Sequence, residues 1–160
     1  MRRAINVRLA LLATTMSVLA VAAMPANAAS QGVMNLTGAG TEALTAGFTG
    51  AKAFTFHGDG MLVTTDTTIN GGLTCDIAGD DEVGTYLEGA GSFSGSCSTN
   101  AGTTTISGTY TRTGGLVTET GSASGAFSGT FSGTCAFAPT VVFLAPTIAF
   151  VESCHFTVNV

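Results

Sequence analysis

The chain reads as all-β, an antiparallel β-barrel or β-sandwich of about eight to ten strands following a cleaved N-terminal signal helix. Three observations predict this. From Gly121 to Pro139 the odd positions are small or apolar (Gly121, Ala123, Gly125, Phe127, Gly129, Phe131, Gly133, Cys135, Phe137, Pro139), while every even position is Ser, Thr or Ala. A period of two puts alternate side chains on opposite faces of a pleated strand. Turn signals recur at hairpin spacing, and no segment after Ala29 keeps a helical period beyond the single turn that Thr41 to Gly47 offers, with Thr41 as its cap.

The N-terminus is an address. Arg2, Arg3 and Arg8 make a basic start, an apolar run extends from Leu9 to Ala23, and Ala26-Asn27-Ala28 supplies small residues for a signal peptidase. The apolar core of about 15 residues is shorter than the ~20 a bilayer-spanning helix needs, and Met24-Pro25 interrupts it. Residues 1–28 are therefore assigned to a signal peptide and residues 29–160 to a single disulfide-stapled β-domain, secreted or held at the cell envelope. The Ala-rich leader suggests a bacterial source.

Removal of the leader leaves two basic residues, Lys52 and Arg112, against ten acids, a net charge of −8. Phosphate backbones need clustered Lys and Arg, and anionic lipid surfaces need the same, so nucleic-acid binding is excluded. All ten phenylalanines lie after the leader and only 9% of the chain is charged, which argues against disorder.

Cys75, Cys97, Cys135 and Cys154 form an even set in an exported domain, the setting in which disulfides persist. Their spacing does not match paired C-x-x-C zinc ligands. Each shares the apolar row of its own alternation. Three pairings are open, and sequence proximity favours Cys75–Cys97 with Cys135–Cys154. Such loops of about 20 residues each contribute roughly 3 kcal/mol in the chain-entropy picture.

Strands are expected at Val33–Thr37, Lys52–His57, Met61–Asp66, Leu73–Ile77, Thr85–Cys97, Thr103–Arg112, Leu116–Phe137, Thr140–Phe150 and Ser153–Val160, the seventh long enough to bend at a glycine and count twice. Asn70-Gly71-Gly72, Gly79-Asp80-Asp81-Glu82, Thr99-Asn100-Ala101-Gly102 and the two-residue Gly114-Gly115 are the expected turns. Gly91-Ser92-Phe93-Ser94-Gly95-Ser96-Cys97 is echoed by Gly129-Thr130-Phe131-Ser132-Gly133-Thr134-Cys135, with only Ser/Thr exchanges. Two occurrences fall short of a solenoid and read as one local solution used twice: Phe to fill, Gly to admit a ring, Cys to staple. The Ser-Gly-Thr-aromatic and related steps at Ser107–Tyr110 and Ser128–Phe131 resemble strands of avidin-like barrels over a few residues only. The chain holds no Trp, on which the avidin-like pocket depends, and that family's ligand is not carried over.

Candidate chemistry is sparse. His57 and Asp59 fall on one strand face and suit a cation together with His155, although Asp59-Gly60 also reads as a hairpin turn. Asp76, Asp80, Asp81 and Glu82 offer four carboxylates to calcium but miss the EF-hand spacing, and a solvated hairpin tip explains them more simply. Glu88, Glu119 and Glu152 are read as exposed strand charges that discourage edge pairing, with a glycosidase-like acid pair as the sharper alternative. No Gly-x-Ser-x-Gly elbow and no phosphate-cradling loop is present. The greasiest stretch, Val141 to Val151, makes Val142, Phe143, Leu144 and Ile148 candidates for partner contact.

The expectation is a non-enzymatic exported domain with a binding or structural role. It needs no cofactor, and its partner is a protein, a cell-envelope component or a second copy. A small apolar-ligand-binding barrel is the first alternative and a membrane-active or pore-forming barrel the second, with stable membrane insertion disfavoured because the row facing away from Ser and Thr is mostly glycine.

Overall fold

The computed structural model describes residues 29–43, 52–85, 87–140 and 147–160. Eight strands follow in order: β1 (Gln31–Ala43), β2 (Lys52–Thr64), β3 (Gly71–Thr85), β4 (Glu88–Thr99), β5 (Gly102–Thr113), β6 (Leu116–Gly125), β7 (Gly129–Thr140) and β8 (Thr147–Asn159). Each pairs antiparallel with its neighbour in sequence, and β8 returns to β1 to close a barrel. Closure removes the open edges that would otherwise template aggregation. The sandwich alternative is thereby set aside in favour of the up-and-down barrel.

Alternation determines the two faces. Inward positions carry Met34, Leu36, Phe56, Leu62, Phe93, Phe131, Phe150 and Phe156, all buried. Outward positions of β5 carry Thr103, Thr105, Ser107, Thr109, Thr111 and Thr113, and β6 and β7 continue the same Ser/Thr wall. The benzyl groups fill the interior because glycines make room for them on the neighbouring strands. A methyl added at Gly121 would sit 2.5 Å from Phe131 Cζ, at Gly108 2.7 Å from Phe93 Cζ, and at Gly133 2.7 Å from Phe156 Cδ1. The rings meet one another at centroid distances of 5.6 Å for Phe131–Phe156 and 6.2 Å for Phe93–Phe131. The twin segments of β4 and β7 thus place their phenylalanines side by side.

Disulfides join Cys75 to Cys97 across β3–β4 and Cys135 to Cys154 across β7–β8, both directly opposed in register. This is the pairing that proximity favoured. The Phe127 side chain plugs one end of the barrel, its N–H donating to Thr104 Oγ1 at 3.1 Å.

Several expected boundaries move. The seventh predicted strand does split, at the bend between Gly125 and Gly129, and Gly114-Gly115 does form a two-residue hairpin with Gly114 at φ 61°. Asp59-Gly60, by contrast, turns nothing: β2 runs through it unbroken. Gly60 is an inward position where a methyl would run into the Asn35 carbonyl of β1, so its glycine serves close strand approach. The acidic segment from Gly79 to Glu82 is likewise strand, with a register shift between Asp81 and Val83. β1 extends through Thr41, which therefore caps no helix, and the remainder of that expected turn lies outside the described residues, as does the leader 1–28.

Candidate functional site

The barrel interior is not uniformly apolar. Toward the end where β1 finishes and β6 begins, four charged side chains among the described ones face inward: Glu42 from β1, Arg112 from β5, Glu119 from β6 and Glu152 from β8. Their parity places them there. Arg112 follows Tyr110 on the inward row of β5, Glu119 precedes Gly121 on that of β6, and Glu152 stands between Phe150 and Cys154 on that of β8. Glu119 lies between Gly133 of β7 and Tyr110 of β5, and Glu152 between Gly38 of β1 and Phe137 of β7, so each carboxylate has one bare and one aromatic neighbour across the sheet.

Arg112 grips Glu42 with both prongs, Nη1 donating to Oε2 at 2.9 Å and Nη2 to Oε1 at 3.0 Å. The pair is almost fully buried, at 6% and 1% exposure. The guanidinium carbon lies 4.5 Å from the centroid of the Phe137 ring, a cation–π contact that adds to the two charge-assisted bonds. Tyr110 packs edge-on against Phe54 at 5.5 Å, and its buried hydroxyl has no hydrogen-bond partner among the described residues.

Glu119 and Glu152 have no hydrogen-bond partner among the described residues. They border two small cavities of about 20 Å³ each, one lined otherwise by apolar side chains, five of them phenylalanines, and the other by Phe54, Tyr110, Arg112, Val117 and Phe150. A space of that size holds about one water. Burial, reinforced by the charge of Glu152, pushes Glu119 up to about 8. Burial also pushes Glu152 up to about 7, with Arg112 acting against the rise and Glu42 adding to it. Acids raised in this way can take up or release protons near neutrality.

Glu119 and Glu152, read from the sequence as exposed strand charges, therefore point into the barrel. The parity of their rows carried that signal, and the bias against charge at core positions obscured it. The Glu152 carboxylate also lies within 4.8 Å of the sulfurs of Cys135 and Cys154. Those sulfurs are bound to each other and offer no thiolate to a metal.

The other sequence candidates fall elsewhere. His57 Nδ1 is 2.7 Å from Asp76 Oδ1 on the outer wall, and Asp59 accepts from Thr74 Oγ1 at 2.6 Å. The histidine is held above its ordinary pKa by its hydrogen bond to Asp76 and by that carboxylate's charge. His155 pairs instead with Asn35 at 2.7 Å, and neither histidine joins a cluster of three ligand groups among the described residues. Asp76 and Asp80 lie four residues apart along an extended strand, about 13 Å at the usual rise, and Asp81 and Glu82 follow on the same strand. They form no hairpin tip. Ile148 is 1% exposed and faces the core, so it is unavailable to a partner. Val142, Phe143 and Leu144 lie outside the described residues.

No protein-family model matches the chain, and neither a curated protein nor a solved structure matches it. The site is read from its own geometry.

Proposed function

We propose that this chain is an exported, non-enzymatic β-barrel domain with a binding or structural role outside the cell or at its envelope. Its outer wall is the working surface, and the partner is a protein, an envelope component or a second copy of the chain. The observation that carries the reading is the division of labour across the wall: phenylalanines and two disulfides lock the inside, while the outside presents rows of Ser and Thr. Two disulfides suit an oxidising compartment. Interior cavities of about 20 Å³ support a packed scaffold in preference to a ligand cup, since small-molecule pockets run to several hundred Å³.

The test is fractionation of the producing cells followed by assay of the purified protein. The expected result is oxidised protein in the medium or envelope fraction, beginning at Ala29, with no turnover of ester, glycoside or peptide substrates. Turnover that disappears in a Glu119→Gln or Glu152→Gln variant would replace this reading with an enzymatic one.

A further inference from the structure

The outer wall of the barrel is not uniform. Asp59, Asp76 and Asp80 stand exposed on β2 and β3. Among the described residues, β5, β6 and β7 present no charge outward, because Arg112 and Glu119 take inward positions. Their outward positions carry hydroxyls in register. Thr109, Thr120 and Ser132 form one row across the three strands, and Ser107, Ser122 and Thr130 form the next. Thr111, Thr118 and Thr134 add a third. Such positions repeat about every 4.8 Å across the strands and about every 6.8 Å along them. We propose that this hydroxyl wall docks an uncharged polysaccharide chain of the cell envelope, an inference that rests on the reading of the outer wall as the working surface.

Charge selects the partner. From Ala29 onward the chain has ten acids against Lys52 and Arg112. Arg112 is buried, and Lys52 holds a position on the inward row of β2. An anionic polymer is therefore repelled, with no outward Lys or Arg among the described residues to hold it. A cationic partner is drawn instead to Asp59, Asp76 and Asp80 on the other side. A neutral polyol matches an uncharged wall of donors and acceptors group for group.

The hydroxyls are available to such a chain. In these three rows only Thr109 and Thr120 approach another described side chain, each other at 3.5 Å. The first two rows border a shallow, open depression of about 710 Å³ that also takes in Ser92 of β4 and Asn159 of β8. Disulfides from β4 to β3 and from β7 to β8 hold the strands that flank β5 and β6, and branched threonines have few rotamers, so little order has to be gained on binding. A neutral hydrogen bond made in competition with water contributes little by itself. Phe93, Phe131 and Phe137 face inward and offer no ring for a sugar to stack upon. Affinity is therefore summed over many repeats, which selects a polymer over a free sugar.

Cosedimentation of the oxidised protein with insoluble polysaccharides tests the assignment, using neutral wall polysaccharide from the producing cells, cellulose and carboxymethylated cellulose. Retention is expected on the neutral wall material, unchanged by about 0.5 M salt, with none on the carboxymethylated polymer. The Thr109→Val, Thr120→Val double variant keeps the shape and strand preference of both side chains and is expected to bind at least about tenfold more weakly. Thr55→Val, on β2, is expected to bind as the wild type does. Should the double variant fail to fold, Ser122→Ala decides, with binding expected to weaken about threefold. No retention on the wall material, loss of retention in salt, equal retention on the carboxymethylated polymer, undiminished binding by the folded variant, or equal weakening by Thr55→Val would overturn the proposal. Retention on cellulose alone would overturn the envelope as the source. If failure comes with oxidised, inactive protein in the envelope fraction, the exported scaffold stands and only this partner falls.

Discussion

Glu42 and Arg112 lie seventy residues apart in the chain and on strands that are not neighbours, yet they meet inside the barrel through two parallel hydrogen bonds of 2.9 and 3.0 Å. The pair spans the lumen and ties β1 to β5. Good geometry and the Phe137 ring beneath the guanidinium help to offset its desolvation.

Removing one partner breaks both charge-assisted bonds of the pair. Glu42→Leu or Arg112→Met alone is expected to cost about 3–5 kcal/mol in urea unfolding, whereas the double replacement Glu42→Leu with Arg112→Met recovers most of that loss. A double variant as unstable as the sum of the singles would show that the two residues act independently.

Glycine under a ring is a second point of test. At Gly121 an added methyl meets both Phe131 Cζ and the Ser107 carbonyl oxygen at 2.5 Å. Gly121→Ala is expected to cost about 1–3 kcal/mol as the ring or the strand is displaced. Gly72→Ala, where the nearest atom is 3.9 Å away, should change stability by less than about 1 kcal/mol. Equal effects at the two positions would remove the ring-over-glycine account.

Each disulfide closes a short loop, with sequence separations of 22 and 19. Replacing either pair by alanines is expected to lower stability by roughly 3 kcal/mol. The two losses should add, because one bond staples β3 to β4 and the other β7 to β8. Denaturant unfolding of the single- and double-knockout proteins provides the measurement.

On the outer wall, Asp76→Asn is expected to let the His57 pKa fall back toward the ordinary histidine value, since the raised value rests on that carboxylate. The sign for stability follows: the His57–Asp76 contribution is present below the unfolded histidine pKa and is lost as pH rises through the folded one. A proton NMR titration of the ring reads the shift directly, and an unchanged midpoint would show that Asp76 is not its source.

Local features of the fold were largely legible. Gly114-Gly115 announced its hairpin, the alternation from Gly121 to Pro139 announced two pleated segments, and cysteines near each other in sequence met across adjacent strands. The misreadings share one cause. Asp59-Gly60 and Gly79–Glu82 carry the residue types of turns, but glycine also occurs where strands approach closely or a ring lies overhead, and composition does not distinguish these uses. Gly79 is a case in point: Phe54 Cε1 lies 2.7 Å from where its side chain would begin.

The charged interior was half legible. The row parity of Glu119 with Gly121 and Ala123, and of Glu152 with Phe150 and Cys154, already aimed both carboxyls inward. Parity follows from the pleat, a property of each strand alone, and so the sequence by itself determined which residues look in and which look out. Which inward residues meet was decided only by the tertiary structure. The registers of eight successive pairings and the closure of β8 on β1 bring Arg112 to Glu42 and Glu119 to the neighbourhood of Glu152, and those long-range contacts have no counterpart in a local pattern.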